Sequence, residues 1–169
     1  MKTLLLLRHA KTSWDDAKVS DDLRPLSETG KRNVYQMGKF LKNTKLIPDL
    51  ILSSCAKRAK DTSILLAESS GYNKDIDISE SLYETATKEY INVISEISNK
   101  INIVLLVGHN PILENLIELI TNELIIMETC SLVQIFLPIS TWTEIKMNPK
   151  CQLIKQIRIK ELASQAVNS

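Results

Sequence analysis

The sequence predicts a three-layer α/β/α domain with a mostly parallel sheet and antiparallel edge strands near the C terminus. Three observations predict it. Short leucine-rich or β-branched runs at 3–7, 50–53, 75–79 and 102–107 alternate with longer stretches of helical period. After residue 130 the pattern becomes three runs, 131–137, 142–147 and 152–159, that read as successive strands joined by short turns, one at Asn148-Pro149. The chain's two histidines each follow an apolar run, so both fall where a strand ends and a turn begins.

In chain order, the run Leu4-Leu5-Leu6-Leu7 leads into Arg8-His9. A helix starts at Ser27 and carries Val34, Met37, Phe40 and Leu41 at spacings of three and four; Asn43-Thr44 marks its end, before Pro48. A second helix begins near Lys57, carries Ala59, Thr62, Leu65 and Leu66, and stops at Gly71. A third spans about 87–99, with Tyr90, Ile91, Ile94 and Ile97 on one face. The strand Ile103–Val107 ends at Gly108-His109. A fourth helix follows from Pro111 with Leu113, Leu116, Ile117 and Ile120, and Asn110 suits its N-cap. Residues 1–160 form one domain, and 161–169 are expected as a frayed tail.

Composition removes several function classes. A chain of 169 residues can bury a full core without metal or disulfide support. A net charge of +1 gives no basic footprint for nucleic acid. Cys55, Cys130 and Cys151 are an odd count with no close pair, which fits a reducing compartment. Cys55 is either a thiol activated by nearby cations or an inert one. The apolar start is too short for a secretion signal, and no stretch reaches the roughly 18 apolar residues of a membrane helix. A cytoplasmic monomer is expected, without membrane or nucleic-acid partners. No closely spaced His/Cys/Asp set suggests zinc, and Asp15-Asp16 with Asp21-Asp22 lacks an EF-hand pattern, so no metal and no cofactor is expected.

The strand ends carry the chemistry. Ligands of open α/β sheets bind at the carboxyl edge of the strands. Gly108 allows close backbone approach there, and the helix that follows directs its free N–H groups toward His109. Arg8 adjoins His9. Arg58, after Ser53-Ser54-Cys55, falls in the first turn of a helix, where a cation opposes the helix dipole unless an anion lies between them. Two histidines and two arginines at three strand ends suit a dianion. Read separately, each is an ordinary core histidine or solvated arginine.

These residues resemble the histidine phosphatase superfamily, and within it the SixA-type phosphohistidine phosphatases. Arg8-His9-Ala10 resembles the Arg-His-Gly signature, with Ala for Gly. Lys11-Thr12-Ser13-Trp14-Asp15 continues as in the SixA-like branch, with Asp15 where the mutase branch has Asn. Asp21-Asp22-Leu23-Arg24-Pro25-Leu26 with Gly30, Ser53-Ser54 to Arg58-Ala59 and Thr62 (Cys55 standing for Pro), Leu82-Tyr83-Glu84, and Val107-Gly108-His109-Asn110-Pro111 follow in the family's order. The likeness runs from residue 2 to about 120.

The resemblance implies that His9 is the nucleophile and becomes a phosphohistidine, with Arg8, Arg58 and His109 around the phosphoryl group. Neighbouring cations would hold His9 below the ordinary value of about 6.5, in its nucleophilic neutral form. Glu84 stands where the family often carries the acid that protonates a leaving oxygen; its other reading is a solvated loop residue. Thr12, Asp21, Arg24, Ser54 and Asn110 are candidate substrate-binding residues. Asp21 and Arg24 either reach the pocket rim or pair with each other. The expected activity is metal-independent removal of phosphate from phosphohistidine on a protein. The alternatives are a phosphatase of small phosphate monoesters and a phosphate- or phosphopeptide-binding module without turnover.

Overall fold

The computed structural model describes residues 1–15 and 17–167. Asp16 of the acidic stretch and residues 168–169 of the expected tail lie outside the described residues. Six strands form one sheet: β1 (Lys2–Arg8), β2 (Leu50–Ser54), β3 (Ile76–Ser79), β4 (Ile103–Gly108), β5 (Leu132–Leu137) and β6 (Gln152–Ile157). Their order is β3-β2-β4-β1-β5-β6. The first four are mutually parallel; β5 pairs antiparallel with β1, and β6 antiparallel with β5.

The leucine run of β1 divides its side chains between the two faces, as a period of two requires. Leu4 and Leu6 enter one core with Tyr90, Ile94, Leu113, Leu116, Ile117 and Trp142. Leu5 and Leu7 enter the other with Val34, Met37, Leu41, Ala59 and Leu66. Both cores need helices over them. The helices α1 (Glu28–Asn43) and α2 (Lys57–Ser70) cover one face, and α3 (Thr87–Ser95) and α4 (Ile112–Thr121) the other. Ser27 caps α1 by accepting from the Gly30 N–H at 3.0 Å. Gly71, in the left-handed region at φ 81°, ends α2. Among the described residues no helix is long and apolar enough to cross a membrane.

The structure departs from the expected elements in three places. Residues 142–147 are a 3-10 helix, not a strand. Its buried side chains, Trp142 and Ile145, are three apart. A capping box between Thr141 and Glu144 starts it, and Trp142 Nε1 donates to the Ile101 carbonyl at 2.9 Å. The expected tail is helical to Val167: α5 (Ile159–Val167) places Ile159 and Leu162 against the α1/α2 core, and the Arg158 N–H donates to Glu161 Oε2 at 3.2 Å. Third, α4 starts at Ile112 with Pro111, not Asn110, at its cap.

Gly108 is required for packing rather than for a positive φ. A Cβ there would stand 2.6 Å from the Tyr90 hydroxyl and 3.1 Å from its ring. Gly108→Ala should therefore destabilise the domain by about 1–3 kcal/mol, the usual cost of overpacking. Tyr90→Phe removes the nearer atom. In urea unfolding the double variant should lose less than the sum of the single losses; strict additivity would contradict the contact.

Candidate active site

Parallel pairing of β1 with β4 opposes Arg8 to Gly108, so the next residue on each strand is a histidine at the same sheet edge. The His9 N–H donates to the Gly108 carbonyl at 3.1 Å. The two imidazole rings lie 5.3 Å apart, centroid to centroid, tilted by 51°.

His9 Nδ1 lies 2.9 Å from the Ala10 carbonyl oxygen. A carbonyl only accepts, so Nδ1 carries the proton and Nε2 keeps its lone pair. Arg58 Nε–H donates to that Nε2 at 3.3 Å. The remainder of the Arg58 fork is held by Asp21: Nη1 donates to its carbonyl at 2.7 Å, and Nη2 pairs with its carboxylate at 2.9 Å. The cation in the first turn of α2 thus has its anion, supplied by the chain itself. The Ala10 N–H donates to Thr62 Oγ1 at 3.0 Å, and that hydroxyl donates to the Arg58 carbonyl at 2.7 Å, which fixes the His9 turn to α2.

His109 is buried. Its Nε2 lies 2.7 Å from Ser54 Oγ, and its Nδ1 is buried with no partner. Tyr90, on α3, donates its hydroxyl to the Leu82 carbonyl at 2.9 Å and accepts from the His109 backbone N–H. Burial pushes that hydroxyl up to about 12. Tyr83 closes the wall, its ring 5.6 Å from His109 and 5.8 Å from the Arg58 guanidinium carbon. Arg8 donates from Nη1 to the Met127 carbonyl at 2.8 Å, while its buried Nε has no partner.

The charge environment is one-sided. Burial, then Arg58 and Arg8, hold His9 down to about 4, against the Ala10 bond and Asp21. Burial, then His9, Arg58 and Arg8, hold His109 down to about 3. Both rings are neutral at pH 7 in a site whose guanidiniums stay charged. An anion with several acceptor oxygens would find donors on Arg8 and Arg58 and a lone pair on His9 Nε2. Among the described residues no group of three His, Cys, Asp or Glu is placed to hold a metal ion.

The remaining candidates divide. Thr12, bridged to Leu26, lines the same space as Arg8, His9, Lys11, Trp14, Asp21, Arg58 and Thr129. Ser54 acts on His109 rather than facing the open space. Asp21 is spent on Arg58. Arg24 pairs with Asp21 only at 3.8 Å and stacks 3.7 Å above the Trp14 ring. Asn110 does not cap α4; its amide donates to Glu114 Oε1 at 2.7 Å and to the Met127 carbonyl at 3.0 Å. The first turn of α4 is also less free than expected, since the Leu113 and Asn115 N–H groups bond the His109 and Pro111 carbonyls. Glu84 is exposed at the mouth of a cleft with His109 and Arg58, at φ 46°, while the neighbouring Tyr83 hydroxyl donates to Asp21 Oδ2 at 3.5 Å. Cys55 is half-buried between β2 and α2. Burial pushes the Cys130 thiol up to about 12 and Cys151 to about 11. Tyr83, Tyr90, Trp14 and the Met127 carbonyl were not singled out from sequence. The carbonyl carries no residue-type signal, and Tyr90 reads as core, which it also is.

Two histidines and two arginines thus converge at the carboxyl edge of an α/β sheet. The sequence model of the histidine phosphatase superfamily (branch 1) matches residues 4–102, and the chain belongs to that superfamily. It is 33% identical over 139 residues to an uncharacterised chloroplastic protein of Arabidopsis thaliana, a match covering 77% of this chain and 64% of that one. The chain thus spans less than two thirds of that relative. The structure of the protein histidine phosphatase SixA complexed with tungstate superposes with a TM-score of 0.82 at 19% identity, covering 95% of this chain and 99% of that one. A SixA-assigned protein of Agrobacterium tumefaciens gives 0.77 at 25% identity, with 93% and 97% covered.

The two depressed histidines make stability pH-dependent in a defined direction. The unfolded chain takes up protons near pH 6.5 that the folded one refuses until about 4 at His9 and about 3 at His109. Unfolding free energy should therefore fall as pH drops from about 6.5 toward 4. Urea titrations at several pH values measure this. Imidazole NMR, with only two histidines to assign, should show His9 as the Nδ1–H tautomer. Constant stability across that window, or ordinary titration of both rings, would contradict the assignment.

Proposed function

We propose that this protein is a metal-independent phosphatase that works through a phosphohistidine on His9, with phosphohistidine on a protein as its substrate. The observation that carries the reading is the hydrogen bonding of His9: Nδ1–H is held by the Ala10 carbonyl, and the unprotonated Nε2 accepts from Arg58. A module that only binds phosphate has no use for such a nucleophile. In the first step the Nε2 lone pair forms the N–P bond as the bond to the leaving group breaks. The Ala10 carbonyl shares the positive charge that the ring acquires. Arg8 and Arg58 hold the equatorial oxygens, which is most of what phosphoryl transfer asks of a protein. His109, neutral and held by Ser54, stands beside His9 with its rings 5.3 Å apart, centroid to centroid. Water then attacks phosphorus, the Nε2–P bond breaks, and inorganic phosphate leaves.

The phosphohistidine reading rests on the leaving group. An imidazole departs with less proton assistance than an alkoxide, and the carboxyl at the family's acid position, Glu84, is exposed. The segments between Asp61 and Leu82 and after Pro111 form no large inserted cover, so a protruding side chain can enter. The second reading, a small phosphate monoester, is favoured by one observation: Glu84 shares its cleft with His109 and Arg58. The three free cysteines fit a reducing cytoplasm.

Turnover of a phosphohistidine peptide should be compared with a panel of phosphate monoesters, with EDTA throughout. His9→Ala should abolish turnover, and Arg58→Ala should lower it by about 10²-fold or more. Glu84→Gln should cost less than about tenfold on phosphohistidine, against roughly 10²–10⁴-fold were it a working general acid. Retained activity in His9→Ala would refute the nucleophile. A wild-type preference for an alkyl ester that Glu84→Gln destroys would replace the substrate and leave His9 standing.

A further inference from the structure

We propose that the Asp21 carboxylate is an internal competitor for phosphate, bonded to Arg58 in the free protein and transferred to Arg24 when a phosphoryl dianion arrives. The inference rests on the reading of the site as that of a phosphatase, and it names the residue that sets how tightly phosphate is held.

The pocket that contains His9 is lined by the cations Arg8, Lys11 and Arg58 and by one carboxylate, that of Asp21. A carboxylate there repels an incoming dianion. Arg58 has two other tethers. The Asp21 main-chain carbonyl accepts from Nη1 at 2.7 Å, and His9 Nε2 accepts from Nε at 3.3 Å. The carboxylate takes the third nitrogen, Nη2, at 2.9 Å. To reach that nitrogen, an oxyanion has to displace the carboxylate alone. Tyr83 adds only a 3.5 Å contact to Oδ2.

Arg24 offers the carboxylate a second seat. Its Nε stands 3.8 Å from the other carboxylate oxygen, Oδ1, beyond hydrogen-bond range. Nε and Nη1 of Arg24 are buried and have no hydrogen-bond partner among the described residues. Buried donors left unmet are costly. The Trp14 ring, 3.7 Å from the guanidinium carbon, meets the charge but not those donors. Asp21 therefore lies between two arginines, bonded to one and short of the other. Its side chain is 59% exposed, against 11% for Arg58, so the carboxylate is the partner with room to turn. A turn toward Arg24 releases Nη2 to a phosphoryl oxygen and satisfies Arg24 in the same movement. The return of the carboxylate to Arg58 then displaces product phosphate, which two arginines would otherwise hold tightly.

The test is calorimetric titration of the full chain with inorganic phosphate, with turnover followed separately. Asp21→Asn keeps the main-chain carbonyl on Arg58 and removes the charge. It should bind phosphate about fivefold tighter, the scale of one exposed ion pair, and product inhibition should begin at correspondingly lower phosphate. Arg24→Gln should weaken binding by a similar factor, because the displaced carboxylate loses its second seat. In the Asp21→Asn background, Arg24→Gln should change nothing. Asp22→Asn removes the adjacent exposed carboxylate, which lines no part of the pocket, and should bind phosphate as wild type does. Unchanged or weaker binding by Asp21→Asn overturns the competitor, as does equal tightening by Asp22→Asn. An Arg24→Gln loss of the same size in both backgrounds overturns the transfer, since Arg24 would then bond phosphate itself. Asp21 and Asp22 lie on an exposed turn, so their variants decide the matter even where Arg24→Gln does not fold. A wild type that binds phosphate but hydrolyses no phosphate compound ends the phosphatase reading and leaves the competitor to the titrations. A wild type that binds no phosphate overturns both.

Discussion

The register of β1 against β4 is the constraint on which the site depends. Six consecutive pairs, Thr3 with Ile103 through Arg8 with Gly108, end both strands at one level. Each is followed at once by histidine. Were either strand a residue longer or shorter, the two rings would stand at different heights. A slip by one residue would also exchange Leu4 and Leu6 with Leu5 and Leu7 between two cores of different helices. The packing of both faces therefore enforces the alignment of the imidazoles. Gly108, with Tyr90 where a Cβ would be, extends that control to the turn itself.

From that alignment the electrostatics follow. Two imidazoles with centroids 5.3 Å apart, beside two guanidiniums, cannot both be charged without strong repulsion, and burial adds to the cost. The site resolves this by keeping the rings neutral and leaving the positive charge on arginine. Asp21 meets part of that charge, occupying two nitrogens of Arg58 from an exposed turn. A phosphoryl dianion offers the same guanidinium a stronger partner. Arg58 is thus held in place by a group that an incoming anion can supplement or replace.

Much of this was legible in the sequence because it rests on local signals. Apolar runs before Arg8-His9 and Gly108-His109 marked two strand ends, and Ser27 and Gly71 marked the limits of helices. What escaped depends on distant contacts. Residues 142–147 look like a strand until Asn99 and Ile101 supply acceptors for Trp142, which fixes a period of three. The last helix was hidden because its apolar positions, Ile159 and Leu162, have meaning only against α1. Asn110 carries a strong N-cap preference, yet Glu114 and the Met127 carbonyl outbid it. Asp21 and Ser54 also hold their neighbours, Asp21 bonding Arg58 and Ser54 bonding His109. Composition cannot distinguish a group that touches a substrate from one that aims its neighbour.

The central claim is that His9 attacks phosphorus through Nε2. The direct measurement is to trap the phosphoenzyme by rapid denaturation in alkali, where phosphohistidine survives, and to locate the phosphoryl group by phosphorus–nitrogen coupling in 15N-imidazole-labelled protein. Phosphate on Nε2 of His9, and none on His109, is the predicted result. Phosphate on Nδ1, on His109, or on no histidine during active turnover would contradict the account.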